Sequence, residues 1–386
     1  MPLDPAAILP NDLIERLRSR AAGYDERNEF FSEDFRELVE IGYLKAFVPE
    51  SEAGLGASLS DVVRFQRRLA AAAPATALGI NMHLVWTGVA RLFHEHGDSG
   101  LDFVLEEAAA GEVFSFGISE AGNDSVLFDS VTTAEPQPDG GYRYTGTKVF
   151  TSLAPVWTRM GTFGKDTTGD GPRLVYGFIR RDEPGWRHLD DWDTLGMRAS
   201  QSCTTILEGA LAPANRIVRK LPVGPNLDLL IFGIFAVFET LLAAVYTGVA
   251  ERALQLGVDA ARRRKSLRNG GRPYAQDPDI RWQLADAAMA LDGVLPQLER
   301  VADDVDRKVD RGAAWFPALS GLKHRATETA RSVVDVAMRV GGGGGYYRSN
   351  ELQRLYRDVL AGLYHPSDPE SAHATVANAL LGPLED

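Results

Sequence analysis

The chain contains 386 residues and carries a formal net charge of −12, from 41 basic and 53 acidic side chains. Nucleic acids and anionic membrane surfaces are bound through dense basic patches, so this acidic balance argues against both as partners. Hydrophobic residues make up 45% of the chain, which is enough for a large core. At about 150 residues per domain, the length predicts two or three domains.

The cysteine content and the N-terminus both fit a cytoplasmic protein. Cys203 is the single cysteine, so no disulfide can form within the chain. Residues 1–10 lack the basic segment followed by an apolar segment that is typical of a secretion signal. We therefore expect a cytoplasmic location.

Residues 1–115 are predicted to form an N-terminal helical domain. Apolar side chains recur at helical spacing over 12–44, 61–73 and 83–93. Pro74 marks the break between the last two of these segments.

Residues 116–222 change to the patterns of β-strands. Residues 142–145 alternate in polarity after a turn-forming Asp-Gly-Gly sequence, and 174–179 and 203–207 are apolar or β-branched runs. These patterns predict a central antiparallel, β-barrel-like domain.

Residues 223–386 return to helical patterns and are predicted to form a C-terminal four-helix bundle. The long helical segments are 227–264, 280–310, 313–340 and 352–363. Helices followed by strands and again by helices predict a fold that is mainly α with a β domain, in three parts.

One helical segment, residues 229–250, is apolar and long enough to span a bilayer. Its middle, however, holds Glu239, and a charge at that depth is costly in lipid. We therefore predict no membrane span and interpret the segment as a helix buried on all sides in a bundle.

Two short motifs do not indicate chemistry by themselves. The glycine run 341–345 lacks the GxxxxGK[ST] pattern and follows no strand, so it indicates a helix end and tight turn, although glycines also permit close approach to a ligand. His94 and His96 point apart on a helix, and no HExxH or cysteine pair accompanies them. We predict no metal site.

Six segments, in order and across nearly the whole chain, resemble motifs of the acyl-CoA dehydrogenase superfamily of flavoproteins. They are 116–125 (FGISEAGNDS, similar to (Y/F)xxTEPxxGSD), 146–152 (GTKVFTS, similar to GxKxWITN), 193–200 (DTLGMRAS, similar to LGMRxS), 211–213 (LAP), 340–346 (VGGGGGY, similar to LGGxGF) and 354–358 (RLYRD, similar to ERxxRD). The resemblance implies FAD bound between the β domain and the C-terminal helices. It also implies α,β-desaturation of an acyl thioester, on CoA or a carrier protein, with an electron-transferring flavoprotein as acceptor.

The resemblance also implies residues around the flavin. Phe116, Ile118 and Ser119 correspond to the pyrimidine edge, with the Ser119 hydroxyl as an added donor. Phe150 stands where the family has a tryptophan that stacks on the ring, and Ser152 stands where it has a threonine near flavin N5. Either serine has a structural alternative, a strand hydroxyl bonded locally.

Further positions correspond to the adenosine half and the substrate. Arg264 matches an arginine that reaches the FAD pyrophosphate, often across a subunit contact, although a solvated helix end is its structural alternative. The remaining implied contacts are Arg339, Gly342 and Gly343 for the cofactor, and Ser125 and Tyr364 for the substrate.

The family's catalytic glutamate is missing where the resemblance places it. Counted from the RD motif, that position holds Pro366, which cannot accept a proton, and Asp368 and Glu370 are poor substitutes. Glu239 is a candidate for a displaced base, because desolvation in an apolar helix raises the pKa of a carboxyl. It is equally a candidate for a buried ion-pair partner.

Two histidines open another interpretation. His365, in LYHP, resembles the LHDP segment of the dibenzothiophene monooxygenase branch, in which reduced flavin activates oxygen. His83 could share the same cavity and deliver protons or hydrogen bonds. A helix-packing histidine is its structural alternative.

Three functions therefore compete: desaturation with a displaced base, oxygenation by reduced flavin with oxygen as the co-substrate, and flavin binding without chemistry. The apolar C-terminal helices and the family's shared FAD site predict a homodimer or homotetramer.

Overall fold

The computed structural model describes residues 2–268 and 270–384, which form a helical N-terminal part, a central sheet and a C-terminal helical part. The N-terminal helices are α1 Pro5–Ile8, α2 Asn11–Arg27, α3 Ser32–Glu40, α4 Leu59–Ala70, α5 Pro74–Glu95 and α6 Asp102–Ala109. The C-terminal helices are α7 Leu229–Arg263, α8 Pro278–Asp306, α9 Trp315–Gly341, α10 Glu351–Val359 and α11 Pro369–Leu381.

The N-terminal helices follow the predicted segments with one difference. The apolar pattern over 12–44 continues through a break, because Asn28 takes a left-handed conformation with φ of 53° and ends α2. At α4, the Ser58 hydroxyl accepts from the Asp61 amide while the Asp61 carboxylate accepts from the Ser58 amide, a capping box. Pro74 begins α5 in the first helical turn, where its missing N–H costs nothing.

The central part is a single large sheet that is not a closed barrel. Its strands are β1 Phe114–Gly117, β2 Thr133–Pro136, β3 Tyr142–Lys148, β4 Arg159–Asp166, β5 Arg173–Arg180, β6 Trp186–His188, β7 Thr205–Ala212 and β8 Ile217–Pro222. The order is β6-β7-β3-β2-β4-β5-β8, with β1 also beside β4. Most pairs are antiparallel as predicted, but β1 and β2 both pair with β4 in parallel. Two short strands, β9 Lys265–Ser266 and β10 Arg272–Pro273, form a separate hairpin.

Helix α7 lies at the centre of the C-terminal part and packs against α4, α5, α8 and α9. It passes the length and composition test for a membrane-spanning helix, but 83% of its most apolar stretch is buried inside the protein. This burial is expected of a core helix and supports the interpretation made from Glu239.

The sheet domain and the C-terminal helices are joined where two of the sequence motifs meet. The Met197 amide donates to Asp358 Oδ1 at 2.7 Å, and Arg357 donates to the carbonyl oxygen of Leu195 at 2.8 Å. Gly196 permits this contact, because a Cβ there would lie 2.2 Å from the Arg357 carbonyl oxygen. The joint fixes the approach of the C-terminal helices to the sheet, and the candidate site lies between these two parts.

Candidate active site

An apolar cavity opens between the loop after β1 and the first half of α7. About 320 Å³ of space lies between its lining residues, part of it open to solvent. The residues that line it are Phe116, Ile118, Ser119, Val126, Leu127, Ile234, Phe235, Phe238, Glu239 and Pro366. The Phe116 and Phe238 rings stack across the boundary between the two parts, with centroids 5.4 Å apart. Among these residues, Glu239 is the one with an ionisable side chain.

Glu239 is buried in the wall of this cavity, with 1% of its surface exposed. Its Oε1 accepts hydrogen bonds from the amide and the hydroxyl of Ser367, each at 2.9 Å. Its Oε2 has no hydrogen-bond partner among the described residues. Burial raises the pKa of Glu239 to about 7, although the nearby Lys323 and the Ser367 bonds act against that rise. The carboxyl can therefore hold or release a proton near neutral pH.

Residues 362–367, called here the wall segment, contribute Pro366 to the lining of the cavity. Pro366 lines the cavity, so the position at which the resemblance implies a catalytic glutamate does reach the cavity but carries no proton acceptor. Lys323, on α9, donates to the carbonyl oxygens of Gly362, His365 and Ser367 at 2.9, 2.7 and 2.8 Å. Lys323 was not predictable from the sequence, because a single lysine in an amphipathic helix usually lies in solvent.

A buried ion pair holds the loop on the sheet side of the cavity. Lys148 Nζ lies 2.7 Å from Glu120 Oε1, and neither side chain is exposed. Burial opposes the ionisation of both groups, but the Lys148 charge and several hydrogen bonds lower the pKa of Glu120 to about 2. The amides of Val131 and Thr132 also donate to Glu120, so one carboxylate organises the loop that carries four of the lining residues. Glu120 and Lys148 lie in two of the segments that resemble family motifs, 116–125 and 146–152, and this was the signal in the sequence that could have identified them.

Of the residues implied around the flavin ring, Phe116, Ile118 and Ser119 line this cavity, whereas Phe150 and Ser152 are not among its lining residues. The Ser119 carbonyl accepts from the Val149 amide at 2.9 Å, which joins the two motif segments. Phe150 is 53% exposed and has a positive φ of 58°. The Ser152 hydroxyl is buried and shares a hydrogen bond of 2.7 Å with that of Ser202. Ser152 therefore forms the local hydrogen bond that is the structural alternative to a flavin contact.

Of the residues that the resemblance implies around the adenosine half of FAD, Arg264 and Gly342 lie together and Arg339 lies apart from them. Arg264 donates to the Val340 carbonyl oxygen at 2.6 Å and lies over the Tyr274 ring. Gly342 has a φ of +61°, a left-handed conformation that favours glycine, and it lies beside the Arg264 guanidinium. Gly343 is open to solvent. Arg339 points away, since it is largely exposed and bonded to Asp335 on its own helix.

The two candidate histidines are not among the residues that line the cavity. His83 is fully buried, and its Nε2 lies 2.7 Å from the Leu44 carbonyl oxygen while its Nδ1 accepts from the Phe114 amide. Burial lowers the pKa of His83 to about 4. Both ring nitrogens bind backbone groups, as expected of a histidine that packs a helix. His365 packs its ring toward Tyr246, with a buried Nε2 that has no partner in the described chain. The implied substrate contacts Ser125 and Tyr364 are both exposed.

Comparisons with known proteins identify the family. The acyl-CoA dehydrogenase N-terminal domain family matches residues 13–112, and the acyl-CoA dehydrogenase C-terminal domain family matches 240–367. YdbM of Bacillus subtilis, named as an acyl-CoA dehydrogenase, is 30% identical over 95% of this chain and 94% of its own length. The chain belongs to the acyl-CoA dehydrogenase family. It is therefore a flavin-dependent oxidoreductase, as the six motifs predicted.

Other relatives within this family carry out different chemistry by name. L-evernosamine nitrososynthase of a Micromonospora strain is 30% identical over 94% of this chain and 87% of its own. Dibenzothiophene monooxygenase of Rhodococcus qingshengii is 26% identical over 95% of this chain and 90% of that enzyme, which confirms the resemblance to that branch. The solved structure of KijD3 with FMN and a dTDP-amino-keto sugar superposes with a TM-score of 0.86 and 27% identity, and covers 100% of this chain and 95% of that one.

The residues present fit a flavin. Family membership supports the cofactor, and Gly343, where a Cβ would meet nothing within 4 Å, leaves open space near the Arg264 guanidinium. The loop from Ile118 to Ser119 and the Phe150 side chain would meet the ring, and Arg264 would meet a phosphate. No group of three metal-ligating side chains occurs among residues 2–268 and 270–384.

Proposed function

We propose that this protein is a flavin-dependent monooxygenase that transfers one oxygen atom from dioxygen to a small molecule. One observation carries the proposal: the wall segment reaches the cavity where the family keeps its base, but it presents Pro366 there. Desaturation of an acyl thioester requires a base that removes the α-proton from carbon, whereas oxygenation of a nitrogen or sulfur atom removes no carbon-bound proton. A reduced flavin bound beside the cavity would supply the two electrons that convert dioxygen into one substrate oxygen and one water.

The cavity residues suit this reaction through the exclusion of water. Eight of the ten lining side chains are apolar, and the loop that carries Ile118 and Leu127 is fixed by the buried Glu120–Lys148 pair. A dry, rigid wall protects a reactive oxygen species from premature decay in water. Glu239 would accept a hydrogen bond or a proton from the substrate through its unpartnered Oε2.

The relatives support a substrate with a nucleophilic nitrogen or sulfur. Three nitrososynthases at 29–30% identity are named for an amino sugar, and dibenzothiophene monooxygenase is named for a sulfur heterocycle. The apolar lining favours a substrate whose reactive atom is flanked by apolar surface, with polar groups outside the mouth. Electrons would come from a separate flavin reductase, and oxygen replaces the acceptor flavoprotein of the dehydrogenases.

A second function, desaturation of an acyl thioester with Glu239 as base, is favoured by a different observation. Glu239 lines the cavity, its Oε2 has no partner in the described part of the chain, and burial raises its pKa toward the working range of a general base. This candidate ranks second because Oε1 of the same carboxylate is already held by two hydrogen bonds from Ser367.

Two measurements on the purified holoenzyme separate these functions. The first is an anaerobic titration of the oxidised flavin with a panel of acyl-CoAs, in which we expect no bleaching. The second supplies reduced flavin and oxygen with a dTDP-amino sugar or dibenzothiophene, in which we expect an oxygenated product by mass spectrometry. Bleaching by any acyl-CoA would overturn the proposal and establish the second function.

A further inference from the structure

Lys323 is a buried lysine whose ammonium has no solvent to bind. It is 1% exposed, and its three donors all go to backbone carbonyl oxygens of the wall segment, at 2.7 to 2.9 Å. An ammonium has three donors and no acceptor, so its hydrogen-bonding capacity is completely used by this one segment. Three bonds from one side chain fix the backbone on both sides of Pro366.

Glu239 holds the same segment from the other side. Its Oε1 accepts from the Ser367 amide and hydroxyl, and the Ser367 hydroxyl also lies 3.0 Å from that of Ser320, one turn before Lys323 on α9. The segment is therefore held between a carboxylate on α7 and an ammonium on α9. Each charge favours the ionised form of the other, since both lie where solvent cannot screen them.

We propose that Lys323 is a positioning residue that fixes the cavity wall through three carbonyl oxygens and acts as the counter-ion of the Glu239 carboxylate. It does not line the cavity, so it acts on a substrate through Glu239 and Pro366. The proposal goes beyond the proposed oxygenation, because it concerns the charge of one carboxyl and the shape of one wall, whichever reaction they serve.

Other charged groups near this pair are few and identifiable. Asp368 and Glu328 favour the charged form of Lys323, and the Lys323 charge disfavours protonation of His365. Charged groups on α4 and α10 face α7 further along its length, where Arg67 meets Glu251 and Asp358 lies near Tyr246. The ionisation of Glu239 should therefore respond to Lys323 more strongly than to any of these groups.

Infrared difference spectroscopy of the holoenzyme tests the proposal without any substrate. The carboxyl band that disappears in Glu239→Gln reports the protonation of Glu239 across a pH titration. We expect Lys323→Met to raise the midpoint by about one unit, the lower end of the effect of a nearby opposite charge. Lys323→Arg, which keeps the charge, should stay near the wild-type midpoint. An unchanged midpoint in a folded Lys323→Met holoenzyme overturns the proposal.

Lys45→Met is a matched control, because Lys45 also donates to a backbone carbonyl oxygen, that of Ala109, and does not line the cavity. It should leave the midpoint unchanged. If Lys323→Met does not fold, Lys323→Gln replaces it, because its amide keeps donors for the carbonyl oxygens and carries no charge. A raised midpoint in Lys323→Gln supports the counter-ion role, and an unchanged midpoint overturns it. The outcome does not depend on the reaction, so failure of the proposed oxygenation would leave this test intact.

Discussion

The two sides of the cavity differ in how completely their buried charges are satisfied. On the sheet side, Lys148 and Glu120 are in direct contact, and Glu120 accepts further bonds from backbone amides. On the C-terminal side, Glu239 has one oxygen without a partner among the described residues, and Lys323 binds carbonyl oxygens instead of a carboxylate. A closed network stabilises a loop, whereas an open one leaves a group free to act on a ligand. We infer that the charged residues on the sheet side stabilise the cavity wall, whereas Glu239 on the C-terminal side interacts with the ligand.

The largest expected effect tests the supporting role of the sheet side. Lys148→Met leaves the Glu120 carboxylate buried without its cation, so we expect a loss of about 3–5 kcal/mol in the free energy of unfolding. Urea denaturation with bound flavin measures it. Lys165→Met is the control, because Lys165 forms a partly exposed pair with Asp129 and should cost under about 1 kcal/mol. Equal costs for the two variants would remove the distinction between the two sides.

Activity tests the role of the C-terminal side. Glu239→Gln removes the proton acceptor but keeps the shape and the Ser367 contacts, so we expect product formation to fall roughly 10²–10⁴-fold with flavin still bound. The measurement is product yield per flavin with reduced flavin and oxygen supplied. Glu251→Gln, on the same helix and paired with Arg67, is the matched control and should retain activity. A Glu239→Gln enzyme with wild-type yield would make Glu239 a structural group.

The pH dependence of stability sharpens the same contrast. Burial raises the folded-state pKa of Glu239 to about 7, above its ordinary value of 4.5. A raised pKa contributes stability that is fully present below about pH 4.5 and is lost as pH rises through about 7. Relative to Glu239→Gln, we expect the wild-type enzyme to lose stability over this window. Urea unfolding at about pH 4.5 and about pH 8 checks it, and a constant difference between the two proteins would contradict the assigned shift.

The sequence predicted most of the fold because helical periodicity and the family motifs are local patterns. The segment 227–264 became α7, Leu229–Arg263, and burial of this helix followed from one glutamate in an apolar run. The parallel pairing of β1 and β2 with β4 was not predictable, because pairing depends on strands that are far apart in sequence. The end of α2 at Asn28 was not predicted, because the hydrophobic spacing continues on both sides of it.

The candidate site was predictable in part for the same reason. Glu239 was identified because an acidic residue stands out in an apolar helix, and Pro366 because it replaces an expected residue. Lys323 was missed, since its three acceptors are backbone carbonyl oxygens that no residue type reveals. His83 was assigned a possible chemical role that its two backbone partners account for instead.

The smallest expected effect concerns the identity of the flavin and a second open group on the C-terminal side. Among the described residues, Arg264 uses one of its five donors on the Val340 carbonyl oxygen, and its guanidinium lies beside Gly342. We expect FAD, whose second phosphate would use the remaining donors.

Loss of a hydrogen bond to a charged group corresponds to about tenfold in affinity. Arg264→Gln should therefore weaken FAD binding about tenfold and leave FMN binding unchanged, as measured by fluorescence titration of the apoprotein. Arg262→Gln, its exposed neighbour, is the control. Equal weakening for FAD and FMN would place Arg264 at the phosphate that both cofactors share, and extraction of FMN alone from the purified protein would make FMN the native cofactor.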